Sequence, residues 1–351
     1  MMFERIAPEQ HDTLEGIAEP SENPLLVGHA EAAATLASAY RTGKLPHALL
    51  LAGPRGIGKA TLAYHLAYHL LRHPAYENAP ETLAAPDPNS PLFRQIAMGA
   101  HPAILHLTRP FNDKTKKFAT LLTVDEIRRV NRFLSMTSHD GSYRVVIVDP
   151  ADDMNINAAN ALLKNLEEPP SRTVFLLITH SAGSLLPTIR SRCQMIRLQP
   201  LSANEVETVL TALGMPLPDE AGKRAALLER AGGSVRDAIL LSEFGGLEIA
   251  DTVDLLVGGA DFDFAKAHRL ADAVSGRDNE IRFELMNAHL LDIVSQAASS
   301  AASTGEISRA GNFARVFQEL RIAISDTDTY NLDRKQHTLN MILRLHDTLR
   351  M

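Results

Sequence analysis

The sequence is poor in cysteine: 351 residues contain one, Cys193. A single thiol excludes an intramolecular disulfide framework and any multi-cysteine zinc site. A basic excess is missing as well. Lys and Arg total 35 against 42 Asp and Glu, a net charge of −7. Proteins that grip nucleic acid mainly through their own surface carry the opposite imbalance, so any DNA contact is local or belongs to a partner. Long apolar runs are absent too. Ala48–Ala52 and Val174–Ile178 are strand-length, far below the ~20 residues that span a bilayer. Met1-Met2-Phe3-Glu4-Arg5 lacks the basic-then-apolar order of a signal peptide. These absences point to a cytoplasmic chain with no membrane partner.

What remains is ordinary globular material, 45% hydrophobic and 22% charged, long enough for two or three domains. Residues 1–21 read as an irregular lead-in, with Pro8 and Pro20. Val27–Tyr40 carries a helical pattern. Pro46-His47-Ala48-Leu49-Leu50-Leu51-Ala52 reads as a short buried strand, and Thr61, Leu62, Tyr64, Leu66, Ala67 and Leu70 recur at helical spacing. Residues 73–103 are punctuated by Pro74, Pro80, Pro86, Pro88, Pro91 and Pro102, which predicts a loop-like insertion. Ala103–Leu107 is a candidate strand. In Thr123–Leu134 the helix is signalled by a capping threonine, Glu126 three residues on, and Val124, Ile127, Val130 and Leu134 on one face. Arg128, Arg129 and Arg132 lie off that face, there to meet DNA phosphate or, better suited to the net acidity, solvent.

Tyr143–Val148 is a continuous apolar run ending at Asp149, as in a strand buried on both faces of a parallel sheet. Asn155–Glu168 reads as a helix stopped by Pro169-Pro170, Thr173–Thr179 as another buried strand, and Ile196–Leu198 as the last. Strands alternating with helices predict a doubly wound α/β domain over residues 22–200. From 201 the strand signals stop. Short helices flank Gly232-Gly233, and longer helical patterns follow at Ile281–Ala297, Phe313–Ile324 and Thr338–Leu349.

The chemistry concentrates in Gly53-Pro54-Arg55-Gly56-Ile57-Gly58-Lys59-Ala60-Thr61. It follows a strand and opens a helix, the context a phosphate-binding P-loop requires. Gly53, Gly56 and Gly58 let backbone N–H groups converge on phosphate oxygens; the helix N-terminus and Lys59 add positive potential. The alternative is a glycine-rich turn with an incidental lysine. A P-loop carries Ser or Thr after the lysine to ligate Mg²⁺, and here Ala60 stands there. Thr61 is about 100° further round the helix. Asp149 fits the acid at the end of a second strand that holds Mg²⁺, or else caps a turn. The next residue is Pro150, which offers no acceptor. Asp152 or Asp153 would have to act from several ångströms away. Nucleotide, ATP or ADP, is therefore a candidate ligand with an impaired magnesium site and weak or absent hydrolysis.

Three further stretches share one family's pattern. Asn160–Pro170, Ser191-Arg192-Cys193 after Leu186–Arg190, and Gly233-Ser234-Val235-Arg236-Asp237-Ala238, together with Leu26-Val27-Gly28-His29 and Pro46-His47-Ala48, resemble the clamp-loader subunits of bacterial DNA polymerase III, of the AAA+ family. The likeness covers about residues 22–245; each tripeptide is weak alone, and their order around a P-loop is the strong signal. It implies an AAA+ α/β nucleotide-binding-type module with a parallel sheet at 22–200, a small helical lid at 201–250 and an all-α collar for oligomerisation at 251–351. It implies that Arg192 is an arginine finger reaching a neighbour's ATP, that Arg236 is the sensor-2 arginine, that Thr179 is a sensor-1 candidate, and that Val27 belongs to the nucleotide site. Arg192 is otherwise a surface arginine, Arg236 a packing or ion-pairing residue, Thr179 a plain strand-terminal threonine, and Cys193 a packing residue.

Within the family the degraded loop implies the delta-prime kind, supporting ATP-driven loading of the sliding clamp on primed DNA beside tau/gamma and delta subunits. An active tau/gamma-like ATPase is the alternative. A Holliday-junction or protein-remodelling motor would need the acidic pair that Pro150 denies, and a scaffold with an idle Arg192 is a third reading. Relatives usually carry a four-cysteine zinc module after the P-loop helix; residues 71–122 hold no cysteine, so no zinc is expected.

Overall fold

Where strand and helix signals alternate, the chain builds a parallel sheet. The computed structural model describes residues 10–135, 142–276 and 279–350; residues 1–9 of the expected lead-in lie outside the described residues. The chain divides into two compact units, Met1–Leu217 with Gly232–Arg236, and Pro218–Ala231 with Asp237–Met351. The segment expected as a lid, 201–250, is thus shared between the two.

The first unit runs α1 (Ala30–Arg41), β1 (Ala48–Ala52), α2 (Lys59–Arg72), α3 (Pro91–Ala97), β2 (Ile104–Leu107), the short antiparallel pair β3 (Phe111–Asn112) and β4 (Lys117–Phe118), α4 (Val124–Ser135), β5 (Arg144–Val148), α5 (Ile156–Glu167), β6 (Thr173–Thr179), α6 (Pro187–Arg190), β7 (Gln194–Arg197) and α7 (Ala203–Ala212). The main sheet has the order β2-β5-β6-β1-β7, and its neighbours are all parallel.

Alternate residues of a strand face opposite sides, and both sides here are apolar. Leu49, Leu51, Val145, Ile147 and Leu176 pack with Leu36 of α1, Leu62, Leu66 and Leu70 of α2, and Phe93 of α3. Leu50, Val146, Val148, Phe175 and Leu177 pack with Ile127 and Val130 of α4 and Leu162 and Leu166 of α5. This two-sided burial is why β1, β5 and β6 read as unbroken apolar runs. Asn155 starts α5 by accepting the Ala158 N–H at 2.8 Å.

The expected insertion at 73–103 is more ordered than its prolines imply. Ser90 accepts the Phe93 N–H at 3.2 Å, and Pro91 stands in the first turn of α3, where its missing N–H costs nothing. The described part of the lead-in is packed as well. Leu14, Glu19 and Ser21 are buried, and the Asn23 carbonyl meets His65 Nε2 at 3.0 Å.

The second unit is helical: α8 (Ala221–Arg230), α9 (Val235–Glu243, its first two residues counting with the first unit), α10 (Gly246–Gly258), α11 (Phe264–Val274), α12 (Glu280–Ser303), α13 (Ile307–Tyr330) and α14 (Arg334–Leu349). Phe283, Met286, Leu290 and Val294 of α12 form its core with Phe313, Val316 and Leu320 of α13 and Ile342 and Leu345 of α14. The three helices are also tied by His337, whose ring nitrogens meet Thr327 Oγ1 at 2.9 Å and Asn287 Oδ1 at 3.1 Å. The helices α12 and α13 exceed the sequence expectation because flanking residues rich in Ala, Ser and Thr continue the helix beyond the apolar pattern, and α14 begins four residues early, where Asp333 caps it by accepting the Gln336 N–H at 2.8 Å.

His69, on α2, is 2% exposed, has no hydrogen-bond partner for Nε2, and is pushed down to about 4 by burial, with His73 adding to the shift. A histidine near 6.5 in the unfolded chain takes up a proton that the folded one refuses. The first unit is therefore expected to lose stability as pH falls from 6.5 toward 4, by up to about 1 kcal/mol per unit from this residue. Urea midpoints at pH 7.5 and 5 measure it: His69→Phe should show a smaller drop than the native chain, and an equal drop would contradict the assignment.

Candidate functional site

Five parallel strands deliver their C-terminal ends to one edge of the sheet, where ligands of such folds bind. Gly53 follows β1 there, Asp149 follows β5 and Thr179 ends β6. Gly53 donates its N–H to the Thr179 carbonyl at 3.2 Å. Gly56 and Gly58 have φ of 74° and 96°, the left-handed region where glycine is at ease. A Cβ on Gly56 would collide with Ser234 and Arg236, because Ser234–Arg236 lies directly on the loop and Val235 donates to the Gly56 carbonyl at 3.0 Å.

Lys59 opens α2 and is 3% exposed. Its ammonium folds back on its own loop, donating to the Gly53 carbonyl at 2.8 Å and to the Pro54 carbonyl. Burial pulls it down to about 8, against the charges of Asp149 and Asp152. Asp149, half-buried, is pushed up to about 7 by burial and then by the charge of Asp12, while Lys59 opposes the shift. Lys59 and Asp149 are thus near enough for the charge of each to act on the other. Ala60 packs against the apolar cluster of α1 and α2, and Thr61 is buried, so the hydroxyl a magnesium ion needs is absent from its place. The residues present fit a phosphate group and do not fit its metal.

The two carboxylates that follow Pro150, Asp152 and Asp153, are committed elsewhere. Asp152 accepts the Thr179 hydroxyl at 2.6 Å, the His180 N–H at 2.5 Å and the Ser184 hydroxyl at 2.6 Å. Thr179 itself is fully buried. Its hydroxyl is spent on Asp152, which makes it a strand-terminal anchor in this structure. Asp153 is held by both Nε and Nη2 of Arg109, at 2.5 and 2.7 Å. A carboxylate with its lone pairs so occupied does not polarise a water molecule.

Arg236, placed by the packing of Ser234 on Gly56, reaches the same edge. Its guanidinium donates to the Asp12 carbonyl at 2.5 Å. Arg55, inside the loop, lies 3.5 Å from the Asp12 carboxylate. Burial pushes the Asp12 carboxyl up, but His11, Arg236 and Arg55 together outweigh it and hold the group below its ordinary range. Val27 is half-buried, two residues before His29, whose Nε2 meets the Ile57 carbonyl at 2.7 Å.

Arg192 is elsewhere. It precedes β7, whose first residue, Gln194, pairs with Leu49 near the start of β1. At ~3.3 Å per residue, the five residues of β1 put roughly 15 Å of sheet between Arg192 and the phosphate loop. The guanidinium is 34% exposed and bridges Glu167 Oε1 at 2.5 Å and the Thr188 carbonyl at 2.9 Å. The neighbouring Cys193 is half-buried against the α5 side of the sheet, and burial pushes its thiol up to about 11, a packing residue and no nucleophile. Arg128 and Arg129 are answered on their own helix by Asp125 and Glu126.

The structure therefore gathers Gly53, Gly56, Gly58, Lys59, Thr61, Asp149, Thr179 and Arg236 at one edge and sets Arg192 at the other. Sequence reasoning missed Asp12, Arg55, Arg109 and Glu167. Arg55 occupies a free position of the P-loop pattern, and Asp12 lies in a polar stretch with no periodicity, so neither gave a signal. Among the described residues no group of three His, Cys, Asp or Glu gathers to hold a metal ion, and no helix is long and apolar enough to cross a membrane.

Residues 28–202 match the family described as DNA polymerase III, delta subunit. The DNA polymerase III subunit delta' of Pseudomonas aeruginosa is 41% identical over 191 residues, 54% of this chain and 53% of that protein. Its counterpart in Bacillus subtilis is 34% identical over 199 residues, 57% and 54% of the two chains. The DNA polymerase III subunit tau of Bacillus subtilis is 28% identical over 260 residues, 71% of this chain and 43% of that one. The chain spans about half the length of the delta' relatives it matches. The higher identities fall on the delta' proteins and the matched region carries the whole sheet and its phosphate loop: the chain belongs to the DNA polymerase III delta-prime family.

Proposed function

We propose that this chain acts as a delta-prime-like subunit of a DNA polymerase III clamp loader in the cytoplasm, assembled with tau/gamma and delta subunits. In that role it supports ATP-driven placement of the sliding clamp on primed DNA and hydrolyses little or no ATP itself. The observation that carries the reading is the separation of the two cationic sites. Arg192 stands at the sheet edge away from Lys59, so it serves a phosphate held by another molecule. A guanidinium brought to a transferring γ-phosphoryl group stabilises its charge, worth ~10³–10⁵ in rate for arginine fingers. The ion pair with Glu167 aims Arg192 without trapping it. Both partners are substantially exposed, and pairs of that kind contribute about 0–1 kcal/mol.

The alternative, a tau/gamma-like motor, requires a metal-binding hydroxyl and a free acid beside the phosphate loop. Ala60, and the capture of Asp152 by Thr179, His180 and Ser184, favour the supporting role.

Arg192→Ala in a loader reconstituted with tau/gamma, delta, clamp and primed DNA should lower DNA-dependent ATP turnover ~10³-fold or more. Arg192→Lys should recover little, since an ammonium does not reproduce the planar fork. Unchanged turnover on Arg192→Ala would remove the finger role. Glu167→Ala in the same assay should change turnover by less than about 5-fold, the equivalent of a solvent-exposed pair. The chain alone should show no ATP turnover above background, and robust turnover abolished by Lys59→Ala would establish the motor reading instead.

A further inference from the structure

The lead-in is more than a tether. Residues 10–14 cross the edge of the sheet where the phosphate loop lies, and Asp12 is engaged there twice. Its carbonyl accepts from Arg236 and its carboxylate faces Arg55 at 3.5 Å. These are the two guanidinium groups beside the loop, and an incoming phosphate would draw on both. The segment is fixed on either side of Asp12. His11 Nδ1 lies 3.4 Å from Thr108 Oγ1 and its ring meets Phe118 edge-on at 6.4 Å. The Thr13 hydroxyl donates to Glu19 at 2.5 Å, and Leu14 is buried. Lys59, meanwhile, is turned onto the Gly53 and Pro54 carbonyls.

We propose that residues 10–14 form a built-in plug that closes the phosphate loop against nucleotide, with Asp12 standing where an anionic ligand would engage Arg55 and Arg236. The inference rests on reading residues 53–59 as a phosphate loop and concerns regulation of that site. Binding and hydrolysis of ATP are then opposed separately. The plug opposes binding, and Ala60 together with the committed acids opposes hydrolysis. Release of the plug restores the first function and leaves the second absent.

The test is titration of the full chain with a fluorescent ATP analogue. Asp12→Ala and Asp12→Asn should each bind up to about 5-fold more tightly than the native chain, the worth of one partly exposed ion pair removed from the competitor; the bond from Arg236 to the Asp12 carbonyl survives both substitutions. Adding Lys59→Ala to either variant should return binding to the native level. Asp12→Asn keeps the size of the side chain, so it decides the matter if Asp12→Ala melts early. Equal affinity of the native chain and both folded variants overturns the plug, as does gained binding that survives Lys59→Ala. The readout is binding by the chain alone, so its failure leaves the Arg192 assignment untouched, and loss of that assignment leaves this one standing.

Discussion

The parallel alignment of five strands is the constraint on which the rest depends. Because every strand runs the same way, everything that follows a strand collects on one edge and everything that precedes one collects on the other. Gly53, Asp149 and Thr179 follow strands, while Arg192 precedes one. No loop rearrangement brings Arg192 to the phosphate loop without dissolving the pairing of β7 with β1. The backbone ladder thus sets the glycine loop with Lys59 at one edge and Arg192 at the other.

At the first edge the balance of buried charge decides what the site can do. One ammonium, Lys59, and two guanidinium groups, Arg55 and Arg236, act on Asp12, Asp149 and Asp152 in a region that runs from the buried Lys59 to the exposed Arg55. Burying unpaired charge is expensive, so each group has been given a partner or shifted toward neutrality. Asp149 moves up to about 7 and Lys59 down to about 8, each chiefly through burial, with the charge of the other opposing the shift. Asp152 takes the other course, keeping its charge and surrounding itself with three donors. An acid stabilised in that way is a weak base.

The sheet was legible in the sequence because burial on both faces writes itself as uninterrupted apolar runs. β6 was readable to the residue and β5 to within one, and Asn155 and Pro169 marked the ends of α5. The loop glycines and Lys59 were legible because phosphate binding demands those residue types at that spacing. What escaped reading was whatever depends on contacts between distant segments. The helix α3 hides in a proline-rich stretch because Pro91 starts helices as readily as it ends them. Asp12 meets Arg236 across 224 positions, and no local pattern encodes such a pair. Thr179 was legible as a residue at the right strand end. Its commitment to Asp152 was not, since that depends on which way the 151–153 turn aims its carboxylates.

The phosphate loop is also a structural joint, which by itself gives its shape a reason to persist. Loop carbonyls taken out of water must be paired. Gly53 and Pro54 are paired by Lys59, Gly56 by the Val235 N–H, and Ile57 by the ring of His29. The Ile57 side chain is fully buried in the core shared by α1 and α2. Through these bonds the loop fastens residues 27–29 and 232–236 to the head of α2. The glycines are needed for that fastening as much as for any ligand, because a side chain on Gly56 would drive Ser234–Arg236 off the loop. A P-loop pattern in a chain of this kind is therefore evidence of a fold that still requires the loop, and the chemistry must be judged from Ala60, Pro150 and the partners of Asp152.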